Sequence, residues 1–185
     1  MAGTRIKTTV NDAQARAMLA RLGEPGTQDL MPRLGEYLQA STQKRFKTQT
    51  APDGTAWQPL QPRYARRKKY AKDKILTLRG YLRSGIHYQV TGGAEVEVGS
   101  NTKYAAIHQL GGEIDMPERQ ASVRYRSVAG RTLFASKKHK KVTERTVTVP
   151  VHFVKIPARP FLGISTADDS EVRDIVLNWV VERSK

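Results

Sequence analysis

The chain has 185 residues, and its 32 lysines and arginines against 17 acids leave a formal net charge of +15 at pH 7. That length accommodates one domain with an elaboration rather than two full domains. The hydrophobic fraction of 38% lies below the ~45–50% apolar content of typical globular chains without reaching the composition of a disordered one. There is no cysteine, which excludes disulfide frameworks, thiol nucleophiles, thiolate zinc sites and iron–sulfur ligation. No apolar run approaches the ~20 residues that span a bilayer, and the opening MAGTRIKTTVNDAQ lacks the apolar centre of a secretory signal. The expectation is a soluble protein made inside the cell, with no membrane partner.

Taken in chain order, Ile6, Thr8 and Val10 alternate as in a half-buried strand over residues 4–10. Asn11 can cap a helix starting near Asp12, favoured by Ala13, Ala15, Ala17 and Met18 and stopped by Gly23–Gly26. A second helix is expected from Thr27 or Gln28 to about Arg45. Leu30, Leu34, Tyr37, Leu38 and Phe46 form its apolar face, and Pro32 is tolerated in its opening turn. Residues 47–62, with three prolines and the turn PDG, read as an ordered loop anchored by Trp57 and Leu60. Asp73 can cap a short helix running through Leu82, with Ile75, Leu78 and Leu82 on one face.

Ile86, Tyr88 and Val90, then Val96 and Val98, alternate on either side of Thr91-Gly92-Gly93, the pattern of a hairpin. Residues 103–110 make a short helix or turn, stopped by Gly111-Gly112. Residues 113–150 are polar and basic with β-branched alternation at Val123–Tyr125 and at Val147, Val149 and Val151. They read as a long hairpin or arm with an exposed middle near Ser136–Lys141. Residues 151–156 resume as a strand, and a final helix spans Thr166 or Ala167 to Arg183. Val172, Ile175, Val176, Trp179 and Val180 line its buried face, and its acids gather in the first turn, where they cap it.

The charge is concentrated. Residues 63–83 hold nine cations (among them Arg63, Arg66, Arg67, Lys68, Lys69 and Lys72) against one acid, Asp73. Residues 119–145 hold nine more, including Arg124, Arg126, Arg131, Lys137, Lys138, Lys140 and Lys141, against Glu144. Such clusters attract polyanions, but no helix-turn-helix, zinc finger or base-stacking signature accompanies them. They are candidate faces for DNA or another polyanion, and equally candidates for solvated loops or for contact with an acidic neighbour.

The four histidines, His87, His108, His139 and His152, show no metal-ligand spacing. No GxSxG elbow and no phosphate-cradling glycine loop occurs, and no nucleophile, base and orienting group can be assembled. The expectation is a non-enzyme without a cofactor or a metal.

Four motifs follow one another in a fixed order: PDGTAWQPL (Pro52–Leu60), ILTLRGYLRSGI (Ile75–Ile86), VGSNTKYAAIHQLGG (Val98–Gly112) and IPARPFLGIS (Ile156–Ser165). An amphipathic terminal helix follows them. This succession, over roughly residues 27–182, resembles the phage virion morphogenesis family, the tail-completion proteins of Mu-like and related contractile-tailed phages and prophages. The resemblance implies a structural protein that completes the tail and stabilises its joining to the DNA-filled head. It implies a small α+β fold, with an antiparallel sheet packed on a long helix and a C-terminal helix, and action as a ring.

The family's matching positions include Trp57, Tyr104, His108, Gln109, Arg159, Pro160 and Phe161, which read as core, turn or subunit contacts. Arg159 either pairs with a carboxylate, with Pro160 setting the approach and Phe161 buried, or packs within the chain. Tyr104 and Gln109 either bridge to a neighbouring strand or subunit or pack within the chain. The expected organisation is a core of residues 1–112 and 151–185, with 113–150 inserted as a basic β-hairpin arm. The expected partners are further copies of the chain, as a hexamer, the neighbouring neck, tail tube or tail terminator proteins, and genomic DNA contacted without sequence specificity. The expected location is the virion, after synthesis in the host bacterial cytoplasm. The alternative is a non-specific DNA-binding protein acting in packaging or condensation off the virion.

Overall fold

The structure, a computed structural model, describes residues 4–6, 29–91 and 95–183. The expected helix near Asp12, the strand residues 7–10 and the Gly92-Gly93 turn lie outside the described residues. The chain divides into two compact units, one of residues 1–111 with 157–185 and the other of residues 112–156.

The spine of the first unit is helix α1 (Leu30–Thr48). Strands β1 (Thr4–Ile6), β2 (Ile86–Thr91) and β3 (Glu95–Ser100) form an antiparallel sheet in the order β1-β3-β2. Tyr88 stands opposite Val98 in the β2–β3 pair, and Ile6 meets Val98 from the other side. Helix α1 packs on β2 and β3. The closest approach is at Gly35, where a Cβ would lie 2.3 Å from Cδ2 of the Tyr88 ring. Glycine is a poor helix former, but at this position its bare backbone is what lets the sheet come down on the helix.

Helix α5 (Thr166–Arg183) runs antiparallel to α1, because Arg33 reaches Glu182 at 2.9 Å near one end while Arg45 reaches Asp168 near the other. Their apolar stripes interlock as Leu30, Met31, Leu34, Val172, Trp179 and Val180, with Val90 and Val96 of the hairpin against them. Asp29, just before α1, accepts hydrogen bonds from Trp179 Nε1 at 3.3 Å and from Arg183 at 2.7 Å. The Arg183 guanidinium also lies 4.7 Å above the Trp179 ring.

The rest of this unit is short helices and ordered loop: α2 (Pro62–Arg67), α3 (Tyr81–Ser84) and α4 (Ala105–Leu110). The helix expected from Asp73 to Leu82 does not form. Leu76 adopts a positive φ, which interrupts a helix, and only Tyr81–Ser84 coils. Ile75 and Leu76 still pack on the core, whereas Leu78 is exposed. A proline at N1 opens α2 inside the basic run.

In the second unit the arm is two small sheets rather than one hairpin. Strands β4 (Gly112–Met116) and β8 (His152–Ile156) pair antiparallel, and β5 (Arg119–Val128) sits between β6 (Arg131–Phe134) and β7 (Thr143–Val149). The strand expected at 151–156 therefore pairs within this unit and not with the core sheet. No residue from 112 to 156 is buried. The architecture is α+β, with a small antiparallel sheet on a long helix and a C-terminal helix, and an extended β arm.

Gly35→Ala gains helix propensity but drives a methyl group into the base of the Tyr88 ring. The variant is expected to unfold at lower denaturant concentration, by about 1–2 kcal/mol net of the propensity gain. A urea titration followed by circular dichroism measures it, and an unchanged midpoint would contradict the close approach.

Candidate functional site

The four motifs, scattered over more than a hundred residues of sequence, converge on one segment, residues 157–165. Trp57, from PDGTAWQPL, donates its indole N–H to the carbonyl of Pro160 at 2.7 Å. Its ring meets Phe46 edge-on, with centroids 5.3 Å apart, and Phe46 in turn lies 5.4 Å from Phe161. Leu82 and Ile86, from the second motif, lie in the same buried cluster with Phe161 and Leu162. From the third motif, the Gln109 amide oxygen accepts the backbone N–H groups of Phe161 and Leu162 at 2.9 and 3.0 Å, and its NH2 donates to Leu162 O at 3.0 Å. The backbone carbonyl of His108 accepts from Arg159 N at 2.7 Å. A loop inside a protein needs such partners for its backbone, and here the first and third motifs supply them while the second supplies apolar packing.

Arg159 packs within the chain. Its guanidinium donates to the carbonyls of Gln58 at 2.8 Å and Pro59 at 3.1 Å, not to a carboxylate. It ties the tryptophan loop to the 157–165 segment. Gly163 (φ +146°) completes the junction, since a Cβ there would lie 2.8 Å from the Pro52 ring. Gln109 packs within the chain, and Phe161 is fully buried. His108 is half-buried, its Nδ1 has no hydrogen-bond partner, and burial together with the nearby Arg159 charge lowers its pKa. Tyr104 lies edge-on to His108, with centroids 5.9 Å apart, and is exposed.

Arg45, not singled out in the sequence, and Asp168, read there as a capping acid, anchor this junction. Arg45, on α1, donates to the carbonyls of Phe161 and Gly163, both at 2.8 Å, and to the Asp168 carboxylate. Asp168 also accepts from Tyr37 at 3.1 Å, from Ser41, and from both N–H and Oγ of Ser165 at 2.8 and 2.6 Å. The Asp168 N–H returns a bond to Ser165 Oγ at 3.1 Å. Capping therefore accounts for only part of this acid's role: Ser165 and Asp168 make a reciprocal cap at the start of α5, and the same carboxylate is a buried ion-pair partner. The available signal was Arg45 itself, a charge on the apolar stripe that runs from Leu34 and Leu38 toward Phe46.

Burial by itself pushes the Asp168 pKa up, but the hydrogen bonds from Ser165 and Ser41 and the Arg45 charge outweigh it and leave the pKa below its ordinary value. Burial and the adjoining Asp168 push the Tyr37 phenol up to about 12, so it stays a donor.

The basic candidates fall on separate units. Arg63, Arg66, Arg67, Lys69 and Lys72 are exposed on α2 and the loop after it, but Lys68 is turned inward and buried. Its ammonium donates to the carbonyls of Ala71 and Lys74 and closes that loop, and burial lowers its pKa. It is thus withdrawn from any polyanion-facing set. In the arm, Arg124 pairs with Glu144 at 3.1 Å, Arg126 is half-buried, and Arg131, Lys137, Lys138, Lys140 and Lys141 are exposed. Among the described residues no group of three or more His, Asp or Glu could hold a metal ion, and no helix is long and apolar enough to cross a membrane.

Because the folded pKa of Asp168 is depressed, its contribution to stability is complete above the unfolded value and lost as pH falls through the folded one. Asp168→Asn is expected to destabilise by about 3–5 kcal/mol at neutral pH, since Arg45 is left buried and unpaired. It is also expected to flatten the stability loss below about pH 4. Urea midpoints measured from pH 7 to pH 2 test both parts, and parallel pH curves for variant and wild type would refute the assignment.

Residues 4–181 match the model of the phage virion morphogenesis family. A protein of Escherichia phage Mu described as "Putative capsid assembly protein G" is 26% identical over 176 residues, which cover 92% of this chain and 91% of that one. No solved structure is significantly similar.

Proposed function

The chain belongs to the phage virion morphogenesis family, and we propose that it is a structural protein of the phage neck or tail top that completes the tail and stabilises its joining to the head as a homo-oligomeric ring. The observation that carries this reading is the arm: residues 112–156 form two- and three-stranded sheets without one buried side chain. Sheets this small need a covered face for independent stability, and in an assembly a neighbour supplies the cover. The first unit is complementary in kind. Its 157–165 junction is locked by buried side-chain to backbone bonds, the design of a rigid body that must hold a fixed shape in a larger particle. The description of the Mu relative as a putative capsid assembly protein agrees with an assembly role.

In this reading the exposed candidates Arg63, Arg66, Arg67, Lys69 and Lys72 of the first unit, and Arg131 with the lysines at 137–141 of the arm, face the DNA channel or acidic surfaces of neighbouring neck, tail tube or tail terminator proteins. A hexamer would match the symmetry of a tail. Phage lysates made without this protein, viewed by electron microscopy, are expected to contain free heads and tails that fail to join, with tail ends of abnormal form. Finished, head-joined tails in its absence would overturn the proposal.

One observation favours the second reading, a non-specific DNA-binding protein acting off the virion. Among the described residues, none of Arg63, Arg66, Arg67, Lys69, Lys72, Arg79 and Arg83 has an ion-pair or side-chain hydrogen-bond partner. Unpaired cations on an ordered segment bind phosphates with release of counterions. The second reading expects duplex DNA binding that weakens steeply with salt, by about 0.9 in log–log slope per phosphate neutralised. Anisotropy titrations between ~50 and ~200 mM salt measure that slope. Stoichiometric presence of the protein in purified virions would decide for the structural reading.

A further inference from the structure

The register of the arm's three-stranded sheet sorts its side chains by face. Paired residues of antiparallel strands share a face, and successive residues alternate. Tyr125 stands opposite Phe134 and Thr143, Ala121 opposite Val147, and Arg119 opposite Val149. One face therefore carries Ala121, Val123, Tyr125, Phe134, Val147 and Val149, with Tyr125 and Phe134 stacked at 5.4 Å. The other carries Ser122, Arg124, Arg126, Thr146 and Thr148, with Val128 and Leu133 as its apolar members. Among the described residues, the members of the apolar face are half-exposed and Phe134 is 77% exposed. Arg119 and Arg145 lie within it, Arg145 opposite Val123.

A surface of opposite character sits on helix α5. Its buried stripe faces α1, and its outward stripe carries Glu171, Asp174, Leu177 and Val181, with Leu177 and Val181 55% and 53% exposed. Of the helix's five acids, Asp168 is buried on Arg45, Asp169 pairs with Arg173 and Glu182 with Arg33, which leaves Glu171 and Asp174 on the outward stripe, while residues 112–156 hold ten lysines and arginines against four acids. The order of side-chain types also corresponds. Asp174, Leu177 and Val181 run acid, apolar, apolar over about 10 Å of helix. Arg145, Val147 and Val149 run base, apolar, apolar over about 13 Å of strand.

We infer that the apolar face of β5, β6 and β7 docks on the outward face of α5 of a second copy of this chain, with Arg145 toward Asp174 and the two valines of β7 against Leu177 and Val181. This contact joins two different surfaces, so each copy offers one and receives the other, and a rotation that closes makes a ring. The inference rests on the ring reading above and names the two surfaces that would build it.

The absence of cysteine makes the test direct. Chains carrying Val147→Cys and a second purification tag are mixed with chains carrying Leu177→Cys and treated with a short bis-maleimide linker. A crosslinked pair bearing both tags is expected. Replacing Val147→Cys by Thr146→Cys, on the opposite face of the same strand, is expected to abolish it. A second arm uses charge reversal: Arg145→Asp or Asp174→Arg alone is expected to weaken self-association, read by sedimentation, by roughly tenfold. The two reversals together are expected to restore it, a rescue that a folding defect would not give.

Equal crosslinking from Thr146→Cys, or reversals that fail to rescue each other, would overturn the docking. If oligomers form in that case, the ring reading stands with a different interface. A chain that stays monomeric at all concentrations overturns self-docking, and the role in the virion is then judged by the micrographs of particles lacking the protein.

Discussion

The Asp168 carboxylate gathers the Arg45 guanidinium, the Tyr37 and Ser41 hydroxyls, and both N–H and Oγ of Ser165. It is almost wholly buried, and so is Arg45. Two charges are stable at such depth only when paired and fully hydrogen-bonded, so this cluster admits one relative placement of α1, α5 and the loop between residues 157 and 165. The remaining Arg45 donors extend the constraint to Phe161 and Gly163. Without this pair, the segment on which the four motifs converge would have backbone groups facing the core without partners.

From that junction the two units diverge in physical strategy. In the first, two apolar clusters lie on either side of Arg45 along α1, one closing α5 and the hairpin, the other closing the Trp57 loop and the 157–165 segment. Its shape is secured inside the chain. In the second, cross-strand pairs hold the sheets and no side chain between residues 112 and 156 is buried.

Charge follows the same division. Lys68 belongs to the basic run by sequence but to the loop's internal hydrogen bonding by structure, and its burial shapes the segment that displays Arg63, Arg66, Arg67, Lys69 and Lys72. In the arm Arg124 is taken up by Glu144, while the lysines between Ser136 and Lys141 stay exposed. A net charge counted from composition thus overstates what a polyanion can meet, because some cations are spent on the fold itself.

Periodicity in the sequence determined the long helix, the 86–100 hairpin, the short 105–110 helix and the terminal helix, because each buries one regular face, and regular burial leaves a regular pattern. It also marked Trp57 and Phe161 as anchors and the motif order as that of a phage morphogenesis protein. Tertiary structure alone decided which partners those motifs take. Arg159 meets the Gln58 and Pro59 carbonyls, Gln109 holds the backbone of Phe161 and Leu162, and Arg45 finds Asp168 123 residues away. None of these pairings repeats along the chain, so no local pattern announces them. They exist only because the apolar clusters first bring their elements together, and the buried polar groups must then find partners where the packing has placed them.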